Sequence, residues 1–182
     1  MATQTSDPTS TVAYTLGDVT GNDHLRVDDG IRSPTTTGFD TNRCIWSATD
    51  DLEEVEFGLN NGSMVSGDLI TSVTIYSYIE QNLSGIITVR FRGGGSLTST
   101  SNLAVGGTGY QWRTNTIGSL SLTHNGTMAV LMKSPTLSKG EDIRLEEIYV
   151  VITYTPASGG TPNIGGAGQL LNILGFWEDD EE

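Results

Sequence analysis

The 182-residue chain predicts an all-β fold, two antiparallel sheets packed as a β-sandwich. Three observations predict it. The composition combines 23 Gly with many Thr and Ser and only nine Lys plus Arg, so few helix-forming stretches survive. Several segments alternate apolar and polar residues with period two. Turn signals such as Gly17-Asp18, Asn61-Gly62 and Asn125-Gly126 recur at short intervals between them.

In order, residues 1–11 are polar and predict an N-terminal arm, and residues 12–155 the sandwich domain. "NRCIWSA" is a short strand. "EVEFGLNNG" puts Val55, Phe57 and Leu59 on one face, Glu56 and Gly58 on the other, before a turn at Asn61-Gly62. "LITSVTIYSYIE" is a long strand with Val73, Ile75 and Ser77 inward, unless the register places the Thr/Tyr set there. "IITVRFRGGG" turns Ile87, Val89 and Phe91 inward and leaves Arg90 and Arg92 facing water or a partner, with Gly93-Gly94-Gly95 ending the strand. Residues 96–109 are a loose connection. "YQWRTNTI", "GSLSLTH", "TMAVLMK" and "DIRLEEIYVVITYT" are four further strands. His124-Asn125-Gly126-Thr127 predicts a type I′ hairpin turn. In the last strand Leu145, Ile148, Val150 and Ile152 are the buried set, and their change of parity at Glu146-Glu147 marks a bulge. Pro156 stops that strand. Residues 156–169 are a Gly-rich linker, and residues 170–182 a hydrophobic-acidic peptide, extended or a short helix.

Ile70-Thr71-Ser72-Val73-Thr74-Ile75, Ile87-Thr88-Val89, Trp112 and the closing Ile148-Tyr149-Val150-Val151-Ile152-Thr153-Tyr154 resemble the jelly-roll module of tailed-phage virion proteins. The resemblance spans about residues 12–155. It implies a jelly-roll sandwich and a structural role on the virion, as capsid decoration or a neck or tail accessory, in contact with other virion proteins and with copies of itself. It implies no catalytic residue. Carbohydrate-binding jelly rolls share the architecture, so a carbohydrate-binding or host-adhesion module is the alternative, with surface glycans as partners.

Charge and motifs narrow the function classes. The net charge is −13 with only nine Lys plus Arg, which disfavours nucleic acid and anionic membranes as partners, and neither is expected. No apolar run reaches membrane-spanning length. The opening "MATQTSDPTS" lacks the basic and apolar regions of a secretory signal, so synthesis in a cytoplasm is expected; the resemblance implies that this is a host's and that the protein resides in the virion. The single cysteine, Cys44, beside Ile45 and Trp46, reads as a buried thiol rather than a nucleophile. No G-x-S-x-G elbow is present, and the acids Asp50, Asp51, Glu53, Glu54 and Glu56 read as a solvated loop entering a strand rather than a hydrolytic pair. No enzyme activity and no cofactor are expected. Asp18, Asn22, Asp23, Asp28 and Asp29 have calcium-ligand chemistry, but turns use the same residues and the spacing is not that of an EF-hand, so no metal site is assigned. His24 and His124 with Cys44 lack zinc spacing. Trp46, Trp112, Tyr76, Tyr78 and Tyr110 have the chemistry of a sugar-stacking platform, but Trp112 sits mid-strand between Gln111 and Arg113 and is expected in the core.

The terminal peptide bears most directly on function. "GQLLNILGFWEDDEE" carries Leu170, Leu171, Ile173, Leu174, Phe176 and Trp177, the candidate partner-binding residues. In a helix, Leu170, Ile173, Leu174 and Trp177 share one face. So short a helix is not stable alone. Burying six such side chains would yield on the order of 10 kcal/mol gross, more than the ordering cost of the segment; exposed, they would be an aggregation hazard. The linker reaches about 20 Å as a coil. These quantities predict a docking peptide whose seat is the chain's own sandwich, a sister subunit or another protein, the tether favouring a seat away from the body and the acids a basic rim.

Overall fold

In the computed structural model, residues 1–14, 44–47, 54–81, 86–103 and 109–157 are described. They form twelve strands: β1 (Ala2–Ser6), β2 (Pro8–Tyr14), β3 (Cys44–Ser47), β4 (Glu54–Leu59), β5 (Leu69–Gln81), β6 (Ile87–Gly93), β7 (Ser96–Leu97), β8 (Ser101–Leu103), β9 (Gln111–Ile117), β10 (Leu122–Thr123), β11 (Met128–Lys133) and β12 (Asp142–Thr155). No helix occurs among the described residues.

Strand pairing is antiparallel throughout and makes two six-stranded sheets. In the first, β12 and β5 are central; β1 and β3 lie end to end along the outer edge of β12, and β9 and β10 along that of β5. In the second, the order is β2-β4-β11-β6, with β7 and β8 on the far edge of β6. The pairs β3·β12, β4·β11, β5·β9 and β6·β8 are nested in the sequence, first with last, and alternate between sheets. That is a long antiparallel ribbon wrapped into a sandwich, the jelly-roll arrangement.

Period-two patterning explains which side of each strand is buried. Val55 and Phe57, Ile87, Val89 and Phe91, and Val73, Ile75 and Ser77 all face the core and are essentially inaccessible to water. Phe57, Val130 and Phe91 stand in one row across β4, β11 and β6. In β12 the ladder shifts between Leu145 and Glu147, the expected bulge, so Leu145 and Ile148 both point inward. Cys44 and Trp46 are buried in the same core.

Four features differ from the sequence expectation. The polar opening segment is laid onto the body: β1 joins the first sheet and β2 the second, so the sandwich begins at Ala2 rather than residue 12. Gln4 helps fasten it, its Oε1 accepting the N–H groups of Ser63 at 3.0 Å and Met64 at 3.3 Å. The Asn125-Gly126 pair does not close a hairpin; it carries the chain from β10 in the first sheet to β11 in the second. Only Gly126 there has positive φ (98°), whereas type I′ needs it at both central residues. The tight hairpin is instead Gly94-Gly95, with φ of 61° and 79°, joining β6 to β7 across the pair Gly93 and Ser96. Finally, Arg90 and Arg92 face outward as expected but are held by this chain's own acids. They reach over β11 to Glu54 and Glu56, Arg92 Nε and Nη2 donating to the two Glu56 oxygens at 2.8 and 3.2 Å.

His124 lies at the crossing between sheets. Its backbone N–H donates to Asp68 O (2.8 Å), and its carbonyl accepts from Gly67 N–H (2.9 Å). The residue is 1% exposed, and neither ring nitrogen has a hydrogen-bond partner among the described residues. Burial lowers its pKa, partly opposed by the Asp68 charge. The unfolded chain therefore binds this proton better, and stability falls as pH falls below about 6.5. Urea midpoints of the wild type should drop between pH 7.5 and 5.5, and His124→Leu should flatten that dependence whatever its absolute stability.

Candidate functional site

The outer face of the first sheet collects aromatics from three strands. Alternation puts Tyr76 and Tyr78 of β5 on the side opposite Ile75 and Ser77; register then sets Trp112 beside Tyr78 and Tyr149 beside Tyr76. Tyr76 and Tyr149 stack at 4.7 Å between ring centroids with planes 7° apart, and Tyr78 stacks on Tyr110 at 5.4 Å. Trp112 is tilted against Tyr78 and edge-on to Tyr149. Burial, followed by the charge of Glu146, raises the Tyr78 pKa. Trp112 is thus half-buried on the outer face, not in the core as expected, because its parity along β9 matches Tyr78 rather than Ser77. Trp46 belongs to the core and leaves the set. Tyr149 joins it; the signal was its parity in β12, opposite to Ile148 and Val150. A pyranose needs a free ring face, and much of the ring area here is spent on neighbouring rings. The row accordingly braces the sheet through cross-strand contacts.

The outer face of the second sheet holds a cleft of about 660 Å³. Gly58 and Ala129 are register partners on β4 and β11 and form its floor, since neither carries a side chain beyond Cβ. Thr9, Asn61 and Thr127 contribute polar groups from the surrounding strand and loops, and the Arg92–Glu56 ion pair forms one wall. The hydrogen bonding that Arg92 donates to Glu56 is the main cause of the raised Arg92 pKa. Asn61 Nδ2 donates to Gly126 O at 2.8 Å, which fixes the amide and leaves Oδ1 without a partner among the described residues. Sequence reading did not find this cleft: its groups come from segments distant in the chain, and its floor is defined by side chains that are missing.

Leu170, Leu171, Ile173, Leu174, Phe176 and Trp177 lie outside the described residues, as do Asp18, Asn22, Asp23, Asp28, Asp29, Asp50, Asp51 and Glu53. Among the described residues no group of three or more His, Cys, Asp or Glu side chains is placed to hold a metal ion. Of the described cations, Arg90, Arg92 and Arg144 are ion-paired with acids of this chain, Arg144 with both Glu80 and Asp142.

No protein-family model and no curated protein matches the chain. Among solved structures it is similar to dimeric latent PorU from Porphyromonas gingivalis, at 16% identity and a TM-score of 0.28, over 57% of this chain and 10% of that one. The chain thus spans about a tenth of that protein's length.

Proposed function

We propose that the chain is a non-enzymatic structural protein of a virion, a capsid decoration or a neck or tail accessory, that docks on a neighbouring subunit through residues 170–182. The charge balance of the body supports the docking role. The last five residues are all acidic, so of the −13 total the rest of the chain keeps −8, and three of its arginines are already held by its own carboxylates. A peptide ending in five carboxylates meets a body whose net charge has the same sign, so a seat on another molecule, rimmed with Lys or Arg, suits it better. The nested strand pairing agrees with the jelly-roll resemblance on which the virion role rests. Deleting residues 165–182 should abolish incorporation into the particle and leave the thermal midpoint of the body unchanged. Normal incorporation of the truncated protein would remove the anchoring role.

Adhesion to surface glycans is the second reading. The cleft of the second sheet favours it; the aromatic row, with its rings stacked on one another, does not.

A further inference from the structure

We infer that the cleft over Gly58 and Ala129 is a binding site for a neutral saccharide of one or two rings. The inference rests on the adhesion reading and is independent of the docking role.

Size is the first argument. At about 660 Å³ the space, open to solvent on its outer side, has room for one or two sugar rings. It exists because two register partners both lack a side chain beyond Cβ, so the ladder of outer-face side chains is interrupted above them. The polar groups come next. Arg92 uses Nε and Nη2 on Glu56, which locks the guanidinium plane and leaves Nη1 as a donor. Glu56 supplies an acceptor beside that donor. Asn61 lines the cleft and is fixed in place by its bond to Gly126 O. Thr127 stands on the exposed rim with its hydroxyl bonded to Asn125 Oδ1. Donors and acceptors side by side, fixed before any ligand arrives, match the vicinal hydroxyls of a sugar.

Charge selects the class. The Arg92–Glu56 pair is neutral as a unit, in a protein of net charge −13. An anion at Nη1 would sit beside the Glu56 carboxylate and in the field of a chain of net charge −13. A cation would have to take Glu56 from a bidentate arginine. A neutral polyol meets neither obstacle, because it adds hydrogen bonds to the pair without separating it.

The test uses the full chain, isotope-labelled, titrated by NMR with a panel of neutral sugars (glucose, galactose, N-acetylglucosamine, maltose and lactose) and, separately, with sodium sulfate. At least one sugar should bind with a Kd near the millimolar range, with shifts centred on residues 56–61, 92 and 126–129. Arg92→Gln should weaken it at least tenfold. Thr127→Phe, which fills the rim from an exposed position and leaves the ion pair intact, should do the same in a protein that folds normally. A sugar whose shifts centre on Tyr76 and Trp112, or whose affinity survives Thr127→Phe, overturns the cleft assignment and keeps the adhesion reading. Binding of no sugar overturns both. Sulfate binding in the cleft with no sugar binding overturns the ligand class.

Discussion

Phe91→Ala should cost about 3–5 kcal/mol of folding stability, a large share of the roughly 5–15 kcal/mol that holds a domain of this kind. The side chain is fully inaccessible in mid-β6, in the row Phe57, Val130 and Phe91 that spans three strands of the second sheet. Deleting the ring removes its transfer free energy and leaves a void that a sheet fixed on both sides cannot collapse into. One internal crosslink that could compensate is unavailable, since the chain has a single cysteine. Phe91→Leu keeps most of the volume and should cost markedly less. Arg90→Ala, one residue away on the outer face, removes a partly exposed ion pair worth under about 1 kcal/mol. Urea denaturation of the three variants checks the order. Comparable losses for Phe91→Ala and Arg90→Ala would mean that the inner and outer faces of β6 have been misassigned.

Alternation made the inward faces legible. Val55 and Phe57, Val73 and Ile75, and Ile87, Val89 and Phe91 each needed only period two to be placed, and each is buried. Even the bulge of β12 could be read, because Leu145 and Ile148 are both strongly apolar and cannot share a face without an extra residue between them. What could not be read was which strand neighbours which. Arg90 and Arg92 look free in the sequence because Glu54 and Glu56 lie far away in the chain, and only the placement of β11 between β4 and β6 brings them within reach. Trp112 was assigned to the core because it sits mid-strand between the polar Gln111 and Arg113, whereas its parity relative to Tyr78 is a property of register. The candidate cleft failed to register for the same reason: Gly58 and Ala129 mean nothing separately and form a floor only as partners. Turn chemistry misled in one place. Asn-Gly and Gly-Gly both suit a type I′ turn, and the chain uses the second for the hairpin while the first crosses between sheets.

That exchange of turns has a large and position-specific consequence. Gly94→Ala should destabilise far more than Gly95→Ala, although the two residues are adjacent and both have positive φ, 61° and 79°. The left-handed conformation alone costs a residue with a Cβ about 1–2 kcal/mol, and this applies to both. At Gly95 the added carbon would meet only Asn125 Nδ2 at 3.7 Å, ordinary contact with the end of a side chain. At Gly94 it would lie 1.7 Å from the carbonyl oxygen of Thr123, a backbone atom of β10. No rotamer relieves that overlap; the hairpin of the second sheet and the edge of the first must separate. The adjacent bonds would strain with them, Gly94 N–H to Thr127 O at 3.3 Å and His124 N–H to Asp68 O at 2.8 Å, which tie the crossing segment to both sheets. Gly95→Ala should therefore lower stability by about 1–2 kcal/mol, and Gly94→Ala by several times that or enough to prevent folding, read from thermal midpoints or from soluble yield. Equal, modest losses at the two positions would show that the hairpin and β10 do not approach as closely as the fold requires.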